Sequence, residues 1–134
     1  MEERTYGGKR GHEGTDLMPP TNQRGFYPVF SATAGTVEHM GWLQKGGWRI
    51  GIRSEQGGYF YYAHLSEYAP RMEEGKTVEA GEMLGYMGGS GYGEEGTVGQ
   101  FAVHLHFGIY IQTADGREVS VDPYWILKGL EGEP

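Results

Sequence analysis

Phe101-Ala102-Val103-His104-Leu105-His106-Phe107-Gly108-Ile109-Tyr110-Ile111 alternates in character with the two-residue period of a β-strand. Val103, Leu105, Phe107, Ile109 and Ile111 fall on one side and form an apolar face suited to a core. Ala102, His104, His106, Gly108 and Tyr110 fall on the other. Two imidazoles are thereby held side by side on a strand anchored by its opposite face. Such a strand presents a metal ligand and a proton-transfer group from one rigid element. Similar patterning recurs upstream in Gly47-Trp48-Arg49-Ile50-Gly51-Ile52-Arg53 and predicts an all-β fold of antiparallel sheets.

Far upstream, His12-Glu13-Gly14-Thr15-Asp16 spaces an imidazole and a carboxylate four residues apart. Gly11, Gly14, Pro19 and Pro20 argue against a helix there, but an extended or bent segment also brings alternate side chains to one side. Neutral imidazole and carboxylate are ordinary zinc ligands, and a catalytic zinc keeps three protein ligands and one open position. His12, Asp16 and one of His104 or His106 complete such a set. A third segment, Tyr59-Phe60-Tyr61-Tyr62-Ala63-His64-Leu65-Ser66, ends an aromatic strand on another histidine. His39 lies outside these motifs and reads as a surface strand residue.

Taken in order, these motifs resemble the M23 zinc metallopeptidases of the lysostaphin or LytM type. The family pattern H-x-x-x-D, then H-L-S, then H-L-H-F is matched by His12 and Asp16, by His64-Leu65-Ser66 and by His104-Leu105-His106-Phe107. Pro28-Val29-Phe30-Ser31-Ala32 with Gly35-Thr36-Val37 is similar to a strand pair of that family, and Gly75 to Gly88 to its glycine-framed hairpin. The resemblance runs from about Gly11 to Trp125. It implies zinc ligation, one Zn2+ per chain, by His12, Asp16 and His106, and catalytic, non-ligating roles for His64 and His104. It also implies antiparallel sheets forming a groove, related to the duplicated hybrid motif of lipoyl-type barrels. The implied activity is that of an endopeptidase hydrolysing stem or cross-bridge peptides of peptidoglycan with a metal-activated water, in an extracellular or cell-envelope setting. Two departures bear on groove shape and substrate preference. Gly88 to Phe101 is a longer glycine-rich loop than the family's short turn, and Gly108 stands where Glu is common.

With 134 residues the chain reads as a single M23-type domain, 1–134, excised from a longer secreted or surface protein and monomeric. Its 25 glycines and 13% aromatic residues suit a packed, turn-rich β domain. The net charge of −7 argues against nucleic acid as a partner, because phosphate binding needs a basic face. No stretch is long and apolar enough to insert in a membrane as a helix. The absence of cysteine excludes thiolate zinc sites.

Met1 to Met18 reads as a loop carrying the first ligands. Strands are expected at Tyr27 to Ala32, Gly35 to Met40, Gly47 to Arg53, Tyr59 to His64, Thr77 to Ala80, Met83 to Met87, the H-x-H segment and Glu118 to Val121. Ser66 to Gly75 reads as a short helix or turn. Asp122-Pro123-Tyr124-Trp125-Ile126-Leu127 reads as a short C-terminal helical turn, with Asp122 as its cap. Glu13 is a rival base beside a ligand, and Tyr6 a candidate oxyanion donor. Tyr27, Tyr59, Tyr61, Tyr92 and Tyr110 are candidates to border a cleft for peptides with small side chains. Two other functions compete: a catalytically silent interaction or activator module of the cell envelope, and a histidine phosphocarrier of related hybrid fold.

Overall fold

Apolar residues at alternate positions force strands to pair before they can bury a face, and here every pairing is antiparallel. The structure is a computed structural model that describes residues 14–121. Among the described residues nine strands form one connected sheet: β1 (Thr15–Leu17), β2 (Pro28–Phe30), β3 (Gly35–Leu43), β4 (Gly47–Ser54), β5 (Tyr59–Tyr68), β6 (Thr77–Val78), β7 (Met83–Met87), β8 (Leu105–Gln112) and β9 (Glu118–Val121). Its central path runs β1-β8-β5-β4-β3-β6. Among the described residues there is no helix. The expected C-terminal helical turn lies outside them.

Two strands divide an edge between neighbours, and this creates the site. One edge of β8 is shared by β1, along Leu105 to Phe107, and by β9, along Ile109 to Gln112. On β5, Tyr59 to Ala63 pair with β8, whereas Leu65 to Tyr68 pair with β7. His64 stands at that fork. An isolated bridge between Gly88 and His104 closes it from the opposite side.

The core is the apolar face that alternation predicts. Leu105, Phe107 and Ile109 of β8 pack with Tyr62 and Leu65 of β5, Ile50 and Ile52 of β4, Val37, Val78, Val29 and Leu84. Tyr62 is buried because its hydroxyl accepts a hydrogen bond from the Ala32 amide at 2.9 Å. Ile111 departs from the expected core face and is 45% exposed. The β5 strand begins at Tyr59, opposite Tyr110, so Ile111 has run past the core and has only β9 beside it.

Three further expectations need correcting. Thr15–Leu17 is a strand, not part of a loop, because the β8 edge supplies its partners. The Ser66 to Gly75 segment is not helical: β5 continues to Tyr68 and turns follow. The two glycine-framed strand pairs do not close on themselves. β2 pairs with β7 and β3 with β6, so the halves interleave. The turn at Glu79 to Glu82 is tight, with the Glu82 amide bonded to the Glu79 carbonyl, yet its two arms leave for different neighbours.

Candidate metal centre and catalytic groove

In the β1–β8 ladder, Asp16 stands directly opposite His106. Residues opposed in a ladder project to the same face, and His106 Nδ1 lies 2.8 Å from Asp16 Oδ1. His104 Nε2 approaches the same oxygen at 3.8 Å. Two residues along β8, Gly108 has no side chain, and the Tyr110 ring lies across it.

His64 joins them through a backbone irregularity. Phe60 and Tyr62 face the core, so strict alternation would send residue 64 inward as well. Instead β5 carries an extra residue between Tyr62 and Leu65 relative to Ile50 and Trp48 of β4. At this bulge His64 takes φ 66°, in the left-handed region. Leu65 then returns to the core, wholly buried, and the imidazole turns toward the groove. A non-glycine residue in this conformation costs ~1–3 kcal/mol, and such strain collects at functional sites. Two bonds hold it here: the His64 amide donates to Gly46 O at 2.7 Å, and Nδ1 meets Ser90 O at 2.7 Å.

The His64 and His104 rings pack against each other with centroids 4.8 Å apart, and the Phe101 ring contacts both. Each has its Nδ1 on a backbone carbonyl, His64 on Ser90 and His104 on Ala102 at 2.9 Å. A carbonyl only accepts, so each Nδ1 carries the proton, and the neutral ring has its lone pair on Nε2. The two histidines therefore share one tautomer, with Nε2 as the acceptor.

Burial pushes the His64 imidazole down to about 4, and the bond to the Ser90 carbonyl opposes that only in part. A histidine whose folded pKa lies below its ordinary ~6.5 binds fewer protons folded than unfolded. Its stabilising contribution is full above pH ~6.5 and erodes as pH falls toward 4. The metal-free protein is expected to lose thermal stability across that window, and His64→Gln to lose less. Equal slopes in melting temperature against pH would contradict the assignment.

Ser90 is the residue on which this corner is built. It is wholly buried, its hydroxyl donates to Leu65 O at 2.7 Å, and it accepts from the Trp48 amide at 3.1 Å. Gly47, at φ 67°, lets the loop this close: a Cβ there would collide with Ser90. Ser90→Ala leaves one buried and one part-buried backbone group without that partner. The expected destabilisation is about 1–3 kcal/mol in urea denaturation, and a loss within error of zero would contradict this account.

Asp16, Lys45, His64, His104 and His106 line an open groove of about 570 Å³ whose aromatic lining is Tyr61, Tyr92, Phe101 and Tyr110. Tyr59 sits outside that lining, its ring over Gly51 and its hydroxyl on His39 Nδ1 at 2.9 Å. Tyr27 is not in the lining either and bonds Thr21. His39 is an exposed strand residue, as expected. His12, Glu13 and Tyr6 lie outside the described residues, among which no set of three His, Asp or Glu side chains closes on one point. The part of the expected ligand set that is described does fit zinc. A carboxylate oxygen and an imidazole nitrogen 2.8 Å apart are near the roughly 3.3 Å that two ligands keep on one tetrahedral zinc. Sequence reasoning did not single out Ser90, Lys45 or Phe101. The one signal for Ser90 was its place in the Gly88 to Phe101 loop.

A family model described as peptidase family M23 matches residues 10–123. The chain belongs to that family. Among the relatives of this M23 domain is the L-Ala--D-Glu endopeptidase of Bacillus subtilis (strain 168). It is 46% identical over 129 residues, which make up 96% of this chain and 38% of the Bacillus protein. A crystal structure from Ruminococcus gnavus ATCC 29149, assigned as a glycyl-glycine endopeptidase LytM, superposes with TM-score 0.86 at 60% identity. The match covers 94% of this chain and 49% of that one. The catalytic domain of the antimicrobial peptidase lysostaphin from Staphylococcus simulans superposes with TM-score 0.65 at 30% identity, covering 87% of the M23 chain and 79% of its own. The M23 chain thus spans less than half the length of the first two relatives.

Proposed function

We propose that this chain is a zinc-dependent endopeptidase acting on the peptides of bacterial peptidoglycan. His12, Asp16 and His106 hold Zn2+, and His64 and His104 handle protons and developing charge. The observation that carries this reading is the ladder register placing Asp16 opposite His106, with the paired imidazoles of His104 and His64 beside them. The names of the relatives support a peptide substrate: one is an L-Ala--D-Glu endopeptidase and another is assigned as a glycyl-glycine endopeptidase. Peptidoglycan lies outside the cytoplasmic membrane, so the working place of this domain is the envelope or the exterior.

A bound zinc supplies Lewis acidity toward a carbonyl and lowers the pKa of water to ~7. The rest is done by the chain. His64 and His104 present Nε2 lone pairs to the groove, because both Nδ1 protons are committed to carbonyls. One accepts the proton of the attacking water at Nε2, and the other, when protonated at Nε2, donates to the charge developing on the carbonyl oxygen. The proton then goes to the leaving amine. Help of this kind contributes ~10²–10⁴ in rate. Tyr61 and Tyr110 floor the groove, and Phe101 and Tyr92 wall it, shielding the imidazoles from bulk water.

The test is digestion of purified peptidoglycan with new amines counted, alongside metal content. Turnover should stop with a chelator and return with zinc. Wall binding without amine release by the zinc-loaded protein would overturn the enzyme reading in favour of an interaction module. Mass spectrometry of the released fragments identifies the bond.

A further inference from the structure

We propose that Lys45 is a receptor for a substrate carboxylate next to the scissile bond, so that the groove selects acidic stem peptides over neutral glycine bridges. The proposal rests on the peptidase reading and names the substrate class for it. In a chain of net charge −7, Lys45 is the one lysine or arginine among the described residues lining the groove. Asp16 is the one acid there. With Asp16 committed to a divalent cation, the lining is left cationic within an acidic protein, which favours an anionic ligand.

The position is fixed as well as charged. Lys45 lies at the tip of the β3–β4 hairpin, one residue before Gly46, whose carbonyl takes the His64 amide. Its own carbonyl packs against Gly91, where a Cβ would collide with it. The backbone that carries the ammonium is thus tied to the backbone that carries a catalytic imidazole. Three other basic side chains are already neutralised: Arg53 by Glu38 and Glu118, Lys76 by Glu82, Arg117 by Asp115. Lys45 has no acidic partner among the described residues. The nearby Tyr61 phenol is pushed up to about 12, chiefly by burial, so it stays a neutral donor and does not compete for the ammonium.

Two probes isolate the contact: a blocked L-Ala–D-Glu peptide with the glutamate carboxylate free, and the same peptide with that group amidated. The ratio of kcat/KM for free acid over amide should exceed one for the unmodified protein. It should fall about tenfold in Lys45→Met, fall further in Lys45→Glu and survive in Lys45→Arg, in line with the worth of one charge-assisted contact. The preference should also weaken as salt is raised. A ratio unchanged in both Lys45→Met and Lys45→Glu overturns the proposal. Calorimetric binding of the same two peptides reads the contact whether or not a bond is cut. Selective binding of the free acid lost in Lys45→Met, with neither peptide cleaved, would keep the Lys45 site and remove the peptidase reading. Equal binding of both peptides would remove the Lys45 site.

Discussion

Replacing His106 with alanine is expected to abolish zinc binding and turnover together. His106 faces Asp16 across the ladder with 2.8 Å between Nδ1 and Oδ1, so its loss removes the β8 half of the ligand set. Zinc content should fall from one per chain to near zero, and kcat/KM by more than the ~10²–10⁴ that general acid–base help supplies. The fold should survive, because β8 keeps Leu105, Phe107 and Ile109 in the core, and the lost ring is on the groove face. Metal analysis and circular dichroism on the same sample separate the two effects. A folded His106→Ala protein that still binds zinc stoichiometrically would refute the proposed ligand set.

Much of this arrangement is legible in the sequence, and the failures have a common cause. β7 and β9 fall where the sequence reading put them, and β3 and β4 nearly so. Thr15–Leu17 is too short to show a period, and its strand character comes from the β8 edge. His64 marks where the reading of β5 stopped. A bulge residue breaks alternation, so the end of the strand, Ser66 to Tyr68, reads as the start of a short helix or turn. The interleaving of β2 with β7 and β3 with β6 is a decision between distant segments, on which local turn chemistry is silent. The same holds at the site. Asp16, His64, His104 and His106 announce themselves by residue type and spacing. Ser90 does not, because a serine in a glycine loop acquires meaning only when Leu65 O and Trp48 N arrive on either side of its hydroxyl.

His104→Ala is expected to behave oppositely to His106→Ala: zinc retained, activity reduced ~10²–10⁴-fold. Only one residue separates these histidines, and both approach Asp16 Oδ1, at 3.8 Å and 2.8 Å, so spacing alone does not divide their labour. The partnership with His64 does. Both rings commit Nδ1 to a carbonyl, both pack on Phe101, and they touch each other. His64→Ala should therefore resemble His104→Ala, with zinc near one per chain and a loss expressed in kcat more than in KM. Because the two rings serve one proton-transfer event, the double variant should be little worse than the poorer single, the non-additivity expected of groups that act as a unit. Losses that multiply would mean that the two imidazoles act independently. A His104→Ala protein without zinc, beside a His106→Ala protein that keeps it, would exchange their roles, with the Nε2 of His104 then the nitrogen that joins Asp16 at the metal.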